Sequence, residues 1–360
     1  MSKYKVSIYA ICKNEEKFVD RWYESMKEAD EIYVLDTGSE DNTVEKLKEK
    51  GINVFVEKIN PWRFDVARNK SLDLVSDDTD ICVCTDLDEV FEPGWRNNLE
   101  KYWDKDTTRG FYNYNWSFDK NNNPAVSFYI EKIHCRNNYK WTHPVHEVLE
   151  YCGDGYEKRT FIDGITVNHY PDSSKSRSSY LPLLELSVME CPNDDRNMHY
   201  LGREYMYYGM WDKCIETLKK HLDLPTATWK DERSASMRFI ARSYKNLGDI
   251  TLSRIWLEKA INETPYLREP LVEMGILEYK ENNYKDAIIY LEKALEINGR
   301  YKSYINESFC YDSTVYDVLS ICKYYVGDYK DSLYYITKAI KIDKDNERLI
   351  NNKKLIEDKI

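Results

Sequence analysis

Two aspartates and a glutamate directly follow one short apolar segment of the chain. Residues 81–85 (ICVCT) have the composition of a buried strand, and Asp86-Leu87-Asp88-Glu89 comes next. Carboxylates two positions apart on an extended chain point to the same side. Asp86 and Asp88 can therefore share one divalent cation, and Mg²⁺ or Mn²⁺ prefers such oxygen ligands and readily shares them with phosphate groups. The pattern predicts a metal site for a phosphate-bearing ligand, although a solvated acidic turn has the same composition.

Strands and helices alternate in the part of the chain that would position this cluster. Helical patterns separate four short apolar segments, which predict strands at residues 6–11, 31–35, 53–57 and 81–85. This alternation is typical of a mostly parallel sheet that is covered by helices on both faces and binds ligands at the carboxyl ends of its strands. Asp36 and Asp86 both lie at such ends.

The remainder of the first half has a different composition. Residues 110–170 are rich in Tyr, Trp, Asn and His, and they predict antiparallel strands such as Ala125–His134. The polar segment 172–179 predicts either a loop over a cleft or a linker. We therefore expect an α/β domain over residues 1–180.

An internal repeat characterises the second half of the chain. Two copies align at a period of 34 residues, with the small residues Ala241 and Gly275 at equivalent positions. Small residues let two helices cross closely, and large residues fill the space between helix pairs, as in tetratricopeptide repeats. The copies lie at about residues 195–225, 234–267, 268–301 and 313–346. We therefore expect an all-α tetratricopeptide solenoid over residues 190–360.

Charge and cysteine usage favour some classes of protein over others. Residues 1–190 carry 25 basic and 35 acidic groups (25 − 35 = −10), whereas residues 191–360 carry 27 and 28 (27 − 28 = −1). The acidic first half argues against a general nucleic-acid-binding protein. Nine cysteines without metal-ligand spacing predict reduced thiols in the cytoplasm. We expect no signal peptide, and no apolar stretch approaches the roughly 20 residues that span a bilayer.

Four ordered blocks make residues 6–110 resemble a family 2 glycosyltransferase of the GT-A fold. The blocks are ICKNEE at 11–16, DTGSEDNT at 36–43, RNKSL at 68–72 and DLDE at 86–89. Together with the C-terminal repeats, the architecture is similar to bacterial and phage-encoded enzymes of the sublancin S-glycosyltransferase type. The resemblance implies a metal-dependent, inverting transfer of a sugar, expected to be a hexose, from a nucleotide sugar such as a uridine diphosphate sugar.

The resemblance also implies roles for individual residues. The acceptor would be a peptide, a protein or a glycan. The nucleotide sugar would be bound by Asn14, Glu15, Asp36, Arg68 and Asp86. A Mn²⁺ or Mg²⁺ ion would be bound by Asp86, Asp88 and His169, the last as a third ligand from the far edge of the domain.

An inverting transfer needs a general base beside the acceptor. The segment Trp141–Glu147 (WTHPVHE) offers Glu147 and His146, and one of them would act while the other supports it. Family members usually carry a pair of acidic residues at this point, so the choice of base stays open. We expect His134 and His143 to be structural.

Two alternatives concern the repeats and the activity itself. The repeats would either recruit the acceptor or bury one face against a second copy of the chain in a homodimer. A catalytically inactive scaffold or peptide-binding protein with a decayed transferase domain is the alternative function, although both Asp86 and Asp88 remain. Modified DNA bases or a surface polysaccharide are further acceptors to consider, and the acidic charge disfavours DNA.

Overall fold

The computed structural model describes residues 3–119, 121–172, 178–299 and 303–360. The chain divides into two compact units, the first built mainly from residues up to Ser187 and the second mainly from residues after it. Most of the polar segment for which the sequence predicted a loop or linker, namely residues 173–177, lies outside the described residues.

The first unit contains a mixed sheet. Its strands and those of a separate two-stranded ribbon are β1 (Val6–Cys12), β2 (Glu31–Asp36), β3 (Asn53–Val56), β4 (Ile81–Thr85), β5 (Glu89–Phe91), β6 (Arg109–Phe118), β7 (Pro124–Cys135), β8 (Tyr139–Thr142), β9 (Val148–Tyr151) and β10 (Arg159–His169). In the described residues the sheet has eight strands in the order β3-β2-β1-β4-β7-β6-β10-β5, and β8 and β9 form the ribbon.

The half of the sheet formed by β1 to β4 is parallel. Side chains of these strands alternate between two cores, with Ile8 and Val83 on one face and Tyr9 and Cys84 on the other. Because both faces of β1, β2 and β4 are buried, these strands have nearly continuous apolar sequences rather than an alternating pattern, whereas the edge strand β3 is mostly exposed. The antiparallel strand β7 pairs with β4, so the sheet as a whole is mixed.

Short helices follow the strands of this unit. They are α1 (Val19–Met26), α2 (Thr43–Glu49), α3 (Phe64–Asp73) and α4 (Trp95–Tyr102). Helix α1 begins only at Val19, because Asn14 has a left-handed backbone (φ 55°) and the N–H of Phe18 closes a turn on the carbonyl of Glu15. Residues 13–18 therefore form a loop at the carboxyl end of β1.

Paired helices form the second unit. After α5 (Tyr180–Glu190), the pairs are α6 (Asp195–Tyr207) with α7 (Trp211–Asp223), α8 (Lys230–Asn246) with α9 (Ile250–Glu263), α10 (Arg268–Lys280) with α11 (Tyr284–Glu296), and α12 (Thr314–Tyr325) with α13 (Tyr329–Ile342), followed by α14 (Glu347–Glu357). Each pair corresponds to one of the four repeats that the sequence indicated, although α8 begins four residues before its repeat. The predicted fold class, an α/β unit followed by a helical solenoid, is confirmed.

Glycine allows the helices of a pair to approach closely. A methyl group at Gly202 of α6 would collide with side-chain carbons of Leu218, and one at Gly275 of α10 would lie 2.5 Å from a side-chain carbon of Leu291. Real side chains do not approach so closely, so these positions have room for hydrogen only. This packing explains the small residues at equivalent positions of the repeats.

Substitution of Gly275 tests this packing. Gly275→Val should lower the free energy of unfolding of the second unit by about 2–3 kcal/mol, because the added methyl groups force Leu291 and the backbone apart. Chemical denaturation followed by circular dichroism measures the change. Lys285→Val, at an exposed position of α11, is the control and should stay within about 0.5 kcal/mol of the unmodified protein. Equal losses in the two variants would contradict the packing argument.

Candidate active site

The acidic loop begins where the central strand β4 ends. All residues of β4 are buried between β1 and β7, and Leu87 anchors the loop with 1% of its surface exposed. The buried Glu89 side chain accepts a hydrogen bond from the N–H of Asp86 (3.1 Å), which closes the turn. Asp86 and Asp88 are therefore half-buried at the carboxyl end of the parallel strands.

Arg68 of α3 reaches this loop and donates hydrogen bonds to three groups. Its Nη2 donates to Asp86 Oδ1 (2.6 Å), its Nη1 to the carbonyl of Thr85 (3.3 Å) and its Nε to Glu147 Oε1 (2.9 Å). Only 3% of Arg68 is exposed. The guanidinium thus holds together groups from β4, from the acidic loop and from the segment before β9.

Lys132 of β7 supplies a second cation to the same cluster. Its Nζ donates to Asp86 Oδ2 (3.1 Å) and to Glu89 Oε1 (2.7 Å), and the hydroxyl of Tyr114 also donates to Glu89 (2.8 Å). Both oxygens of Asp86 therefore have a cationic partner, Arg68 on one side and Lys132 on the other.

Burial and these cations set the protonation of the carboxylates. Burial opposes the ionisation of Asp86, but Arg68 and Lys132 outweigh it and hold the pKa of Asp86 well below its usual value. Burial raises the pKa of Glu89, and the Asp86 charge adds to this rise while Lys132 opposes it. The two carboxyls are neighbours, and only Asp86 is strongly favoured as an anion.

Asp88 meets His169 at the next position of the loop. His169 Nε2 lies 3.4 Å from Asp88 Oδ2, and His169 Nδ1 lies 3.1 Å from the carbonyl of Trp116, whose ring stacks on the imidazole at 4.4 Å. A carbonyl can only accept, so Nδ1 carries a hydrogen. Burial opposes protonation of the ring, but the bond to Asp88 outweighs it and raises the pKa of His169. Nε2 therefore either donates to Asp88 or, in the neutral ring, offers a lone pair to a cation shared with that carboxylate.

Asp86 is oriented differently from Asp88 and His169. Among the described residues, the residues with three potential metal-ligand atoms within 4.8 Å of one another belong to the second unit. Asp86, Asp88 and His169 therefore do not form so tight a set. The carboxylate of Asp86 is turned toward Arg68 and Lys132.

The loops after β1 and β2 are bonded to each other. Asp36 is fully buried, and its Oδ1 accepts from the N–H groups of Gly38 and Ser39, both at 2.9 Å. The side-chain oxygen of Asn14 accepts from the N–H of Glu40 (2.7 Å). Because β1, β2 and β4 are parallel neighbours, these loops lie at the same edge of the sheet as the acidic loop.

Glu15 belongs to the same pair of linked loops. Its N–H donates to Thr43 Oγ1 at 2.7 Å, at the start of α2. This bond fixes the backbone of the first loop against the second. The structure thus brings together Asn14, Glu15 and Asp36, three residues that were predicted to bind the nucleotide sugar.

The two residues suggested as a base occupy different surroundings. Glu147 is brought to the Asp86 cluster by Arg68. His146 has a left-handed backbone (φ 51°), and its ring packs edge-on against Tyr180 at 5.8 Å.

His134 lies inside the first unit. Its ring is completely buried, and Nε2 shares a hydrogen bond with the hydroxyl of Tyr9 (2.8 Å). Burial lowers the pKa of His134 to about 3, so the ring is neutral at neutral pH. These surroundings are those of a structural histidine.

Sequence reasoning missed Lys132, Tyr114 and Trp116. A lysine within the apolar strand sequence of β7 is the one available signal for Lys132, and it becomes meaningful only when β7 is known to pair with β4. Trp116 contributes through its backbone carbonyl and ring, which its position in the sequence does not reveal.

Comparisons with protein families divide the chain as its fold does. Residues 7–153 match the family described as Glycosyl transferase family 2. Residues 239–266 and 270–301 match the tetratricopeptide repeat. No curated protein matches the chain. Among the described residues, none of the helices has the length and apolar character needed to cross a membrane.

Solved structures similar to this chain include repeat proteins. MamA is 16% identical, with 50% of this chain and 99% of that chain covered at a TM-score of 0.38. YrrB, described as a TPR protein with an unusual peptide-binding site, is 14% identical, with 49% and 83% covered at 0.37. TTC0263, described as a thermophilic TPR protein in Thermus thermophilus, is 16% identical, with 50% and 89% covered at 0.35.

A double-mutant cycle measures the dependence of the cluster on Arg68. Arg68→Met should lower the free energy of unfolding of the first unit by about 3–5 kcal/mol, because Glu147 and Asp86 lose a buried cationic partner. The double variant Arg68→Met/Glu147→Gln should cost less than the sum of the single changes, with a coupling of about 1–3 kcal/mol. Hydrogen exchange at β4 measures each value.

Arg63 provides the control arginine for the substitution of Arg68. Its guanidinium is partly exposed and pairs with one carboxylate, that of the buried Asp65 two residues away (2.8 Å). Arg63→Met should therefore cost less than Arg68→Met, about 1–2 kcal/mol, because only one carboxylate loses its partner. A loss at Arg68 that is as small as the loss at Arg63 would show that the cluster does not depend on its buried ion pair.

Proposed function

We propose an enzyme that transfers a hexose with inversion from a nucleotide sugar, most simply a uridine diphosphate sugar, to a peptide, protein or glycan. The chain joins a match to family 2 glycosyltransferases to tetratricopeptide repeats, which supports a transferase that acts on a recruited acceptor. The observation that carries the proposal is the pairing of Asp88 with His169 beside an Asp86 carboxylate that two cations hold. We expect the enzyme to work in the cytoplasm, as its cysteine usage predicts.

In this proposal Asp88, His169 and Asp86 would hold a Mn²⁺ or Mg²⁺ ion, which would supply positive charge to the diphosphate leaving group. Arg68 and Lys132 support the assignment because they keep Asp86 ionised. They also bring positive charge to the place where a diphosphate would lie, which favours binding of the donor.

The nucleotide would bind at the linked loops after β1 and β2. Asp36 holds the N–H groups of its own turn, and Asn14 joins that turn to the first loop. We infer that both residues, with Glu15, shape the pocket for the base and ribose. Because these loops are already held together, less conformational entropy would be lost when the nucleotide binds.

Glu147 is our first candidate for the general base, and His146 is the alternative. Glu147 belongs to the Asp86 cluster through Arg68, which favours a role close to the sugar. As a base, Glu147 would orient the acceptor hydroxyl or thiol and accept its proton.

Asp88→Asn tests the metal assignment. The purified chain is incubated with Mn²⁺ and a panel of nucleotide sugars, and the released nucleotide is measured. One donor should be hydrolysed slowly, and Asp88→Asn should reduce the rate about 100-fold or more, because the side chain loses the charge that binds the cation. The exposed Asp106→Asn is the control and should keep the full rate.

Three results would speak against the proposal. Full activity in Asp88→Asn would refute Asp88 as a metal ligand, and activity without added or bound metal would refute metal dependence. The absence of release from every donor, together with the absence of donor and Mn²⁺ binding in thermal-shift measurements, would favour a scaffold protein without transferase activity.

The repeats are proposed to recruit the acceptor, since tetratricopeptide arrays bind peptides and proteins. The second unit contains a cleft of about 650 Å³ that is lined by apolar residues such as Leu201 and by charged residues of both signs, among them Lys213, Lys220, Glu216 and Asp223. Its mixed character suits an extended peptide.

Removal of the repeats should separate hydrolysis of the donor from transfer of its sugar to the acceptor. A chain that ends at residue 191 should retain hydrolysis of the donor and lose most transfer to the acceptor. Circular dichroism must first confirm that the shortened chain is folded. Unchanged transfer would contradict recruitment, and a full-length chain that is dimeric by light scattering while the shortened chain is monomeric would assign the repeats to a homodimer.

A further inference from the structure

Two buried histidines and a buried glutamate meet in the second unit, far along the chain from the acidic loop. His199 lies on α6, His221 on α7 and Glu232 on α8, with 0%, 0% and 3% of their surfaces exposed. Each offers a ligand atom, and these atoms all lie within 4.8 Å of one another. The cluster therefore connects the first helix pair of the solenoid to the next pair.

The hydroxyl of Ser236, one turn along α8 from Glu232, fixes the two rings. Ser236 Oγ lies 2.7 Å from His199 Nδ1 and 3.0 Å from His221 Nδ1. Within the described residues, the Nε2 atoms of both histidines are buried and form no hydrogen bond, although His221 Nε2 is 3.4 Å from Glu232 Oε1. Buried polar nitrogens without hydrogen bonds cost free energy, so they indicate a missing partner.

The bonding to Ser236 determines which nitrogens are available. A serine oxygen has two lone pairs and can accept a hydrogen bond from each Nδ1–H. Both rings would then be neutral, with their Nε2 lone pairs available to a ligand. This is the arrangement of metal-binding histidines, whose second nitrogen donates to a neighbouring oxygen.

We propose that His199, His221 and Glu232 bind a zinc ion that links α6, α7 and α8. Two imidazole nitrogens and one carboxylate are a common ligand set for zinc, and a water or the second carboxylate oxygen completes the tetrahedron. The ion would be taken up as the unit folds, because its ligands are buried. This site is independent of the proposed transferase activity.

The charges around the cluster favour zinc over calcium or magnesium. Arg203 and Arg238 bring positive charge to the surroundings of His199, and Glu232 brings negative charge. The same two arginines disfavour a cation that is held by charge alone. Affinity must then come from directed bonds to nitrogen, which zinc forms readily and calcium and magnesium do not.

The test uses the full-length chain in an Asp88→Asn background, which removes the other proposed metal site. The protein is unfolded, refolded with Zn²⁺, dialysed and analysed for zinc by mass spectrometry. We expect one zinc per chain and a rise in Tm relative to protein refolded with chelator. His199→Gln, His221→Gln and Glu232→Gln should each lose the bound zinc and the zinc-dependent rise in Tm.

Two further variants distinguish coordination from ordinary packing. Ser236→Ala should retain zinc but weaken its affinity about 10-fold, because the rings lose their orienting partner. Ser332→Ala removes a buried hydrogen bond between α12 and α13 and should leave zinc binding unchanged. A purely structural cluster would instead give the same Tm loss with and without zinc.

Two results would contradict a zinc site at this cluster. Equal zinc content in His221→Gln and its parent would overturn it, as would a parent protein that refolds fully with Zn²⁺ present and retains none. If the histidine variants fail to fold, the parent protein and the isosteric Glu232→Gln decide the question. Cobalt taken up in place of zinc should give intense visible absorption in the parent and lose it in Glu232→Gln.

Discussion

The contact between the Arg68 guanidinium and its oxygen partners is the interaction on which the candidate active site depends. It joins a helix, the end of the central strand and the segment before β9, which are far apart in the sequence. Removing these charges from water is unfavourable, and the cost is offset only while every partner is in place. Arg68 fixes one oxygen of Asp86 while Lys132 fixes the other, and together they position the loop that carries Asp88.

The sequence predicted β1, β2 and β4 well, because segments buried on both faces are continuously apolar. Strand β4 has the predicted bounds, and the strand ends place Asp36 and Asp86 at one edge. The start of α1 was less predictable, since the left-handed turn at Asn14 has no signal in apolar periodicity. The antiparallel strand β7 was recognised, but its pairing with β4 depends on long-range contacts.

The contacts between residues of the site were harder to predict than the identities of those residues. Arg68 was expected to bind the nucleotide sugar, yet its bond to Glu147 joins residues that are 79 positions apart. Lys132 resembles an ordinary strand residue until β7 is known to lie beside β4. In the second unit the regular repeats revealed the helix pairs, whereas the cluster around Ser236 uses neighbouring repeats without a spacing that a motif would describe.

The three-way contact of Arg68 also constrains how the site can change during evolution. A replacement at position 68, 86 or 147 leaves a buried charge, so substitutions at these positions should arise together rather than singly. The neighbouring residues 143–146 connect β8 to β9, with Pro144 and Val145 buried, and the Pro144 carbonyl accepts a hydrogen bond from the N–H of Phe64 at the start of α3. In related chains this connection and the ionic centre would therefore be inherited together.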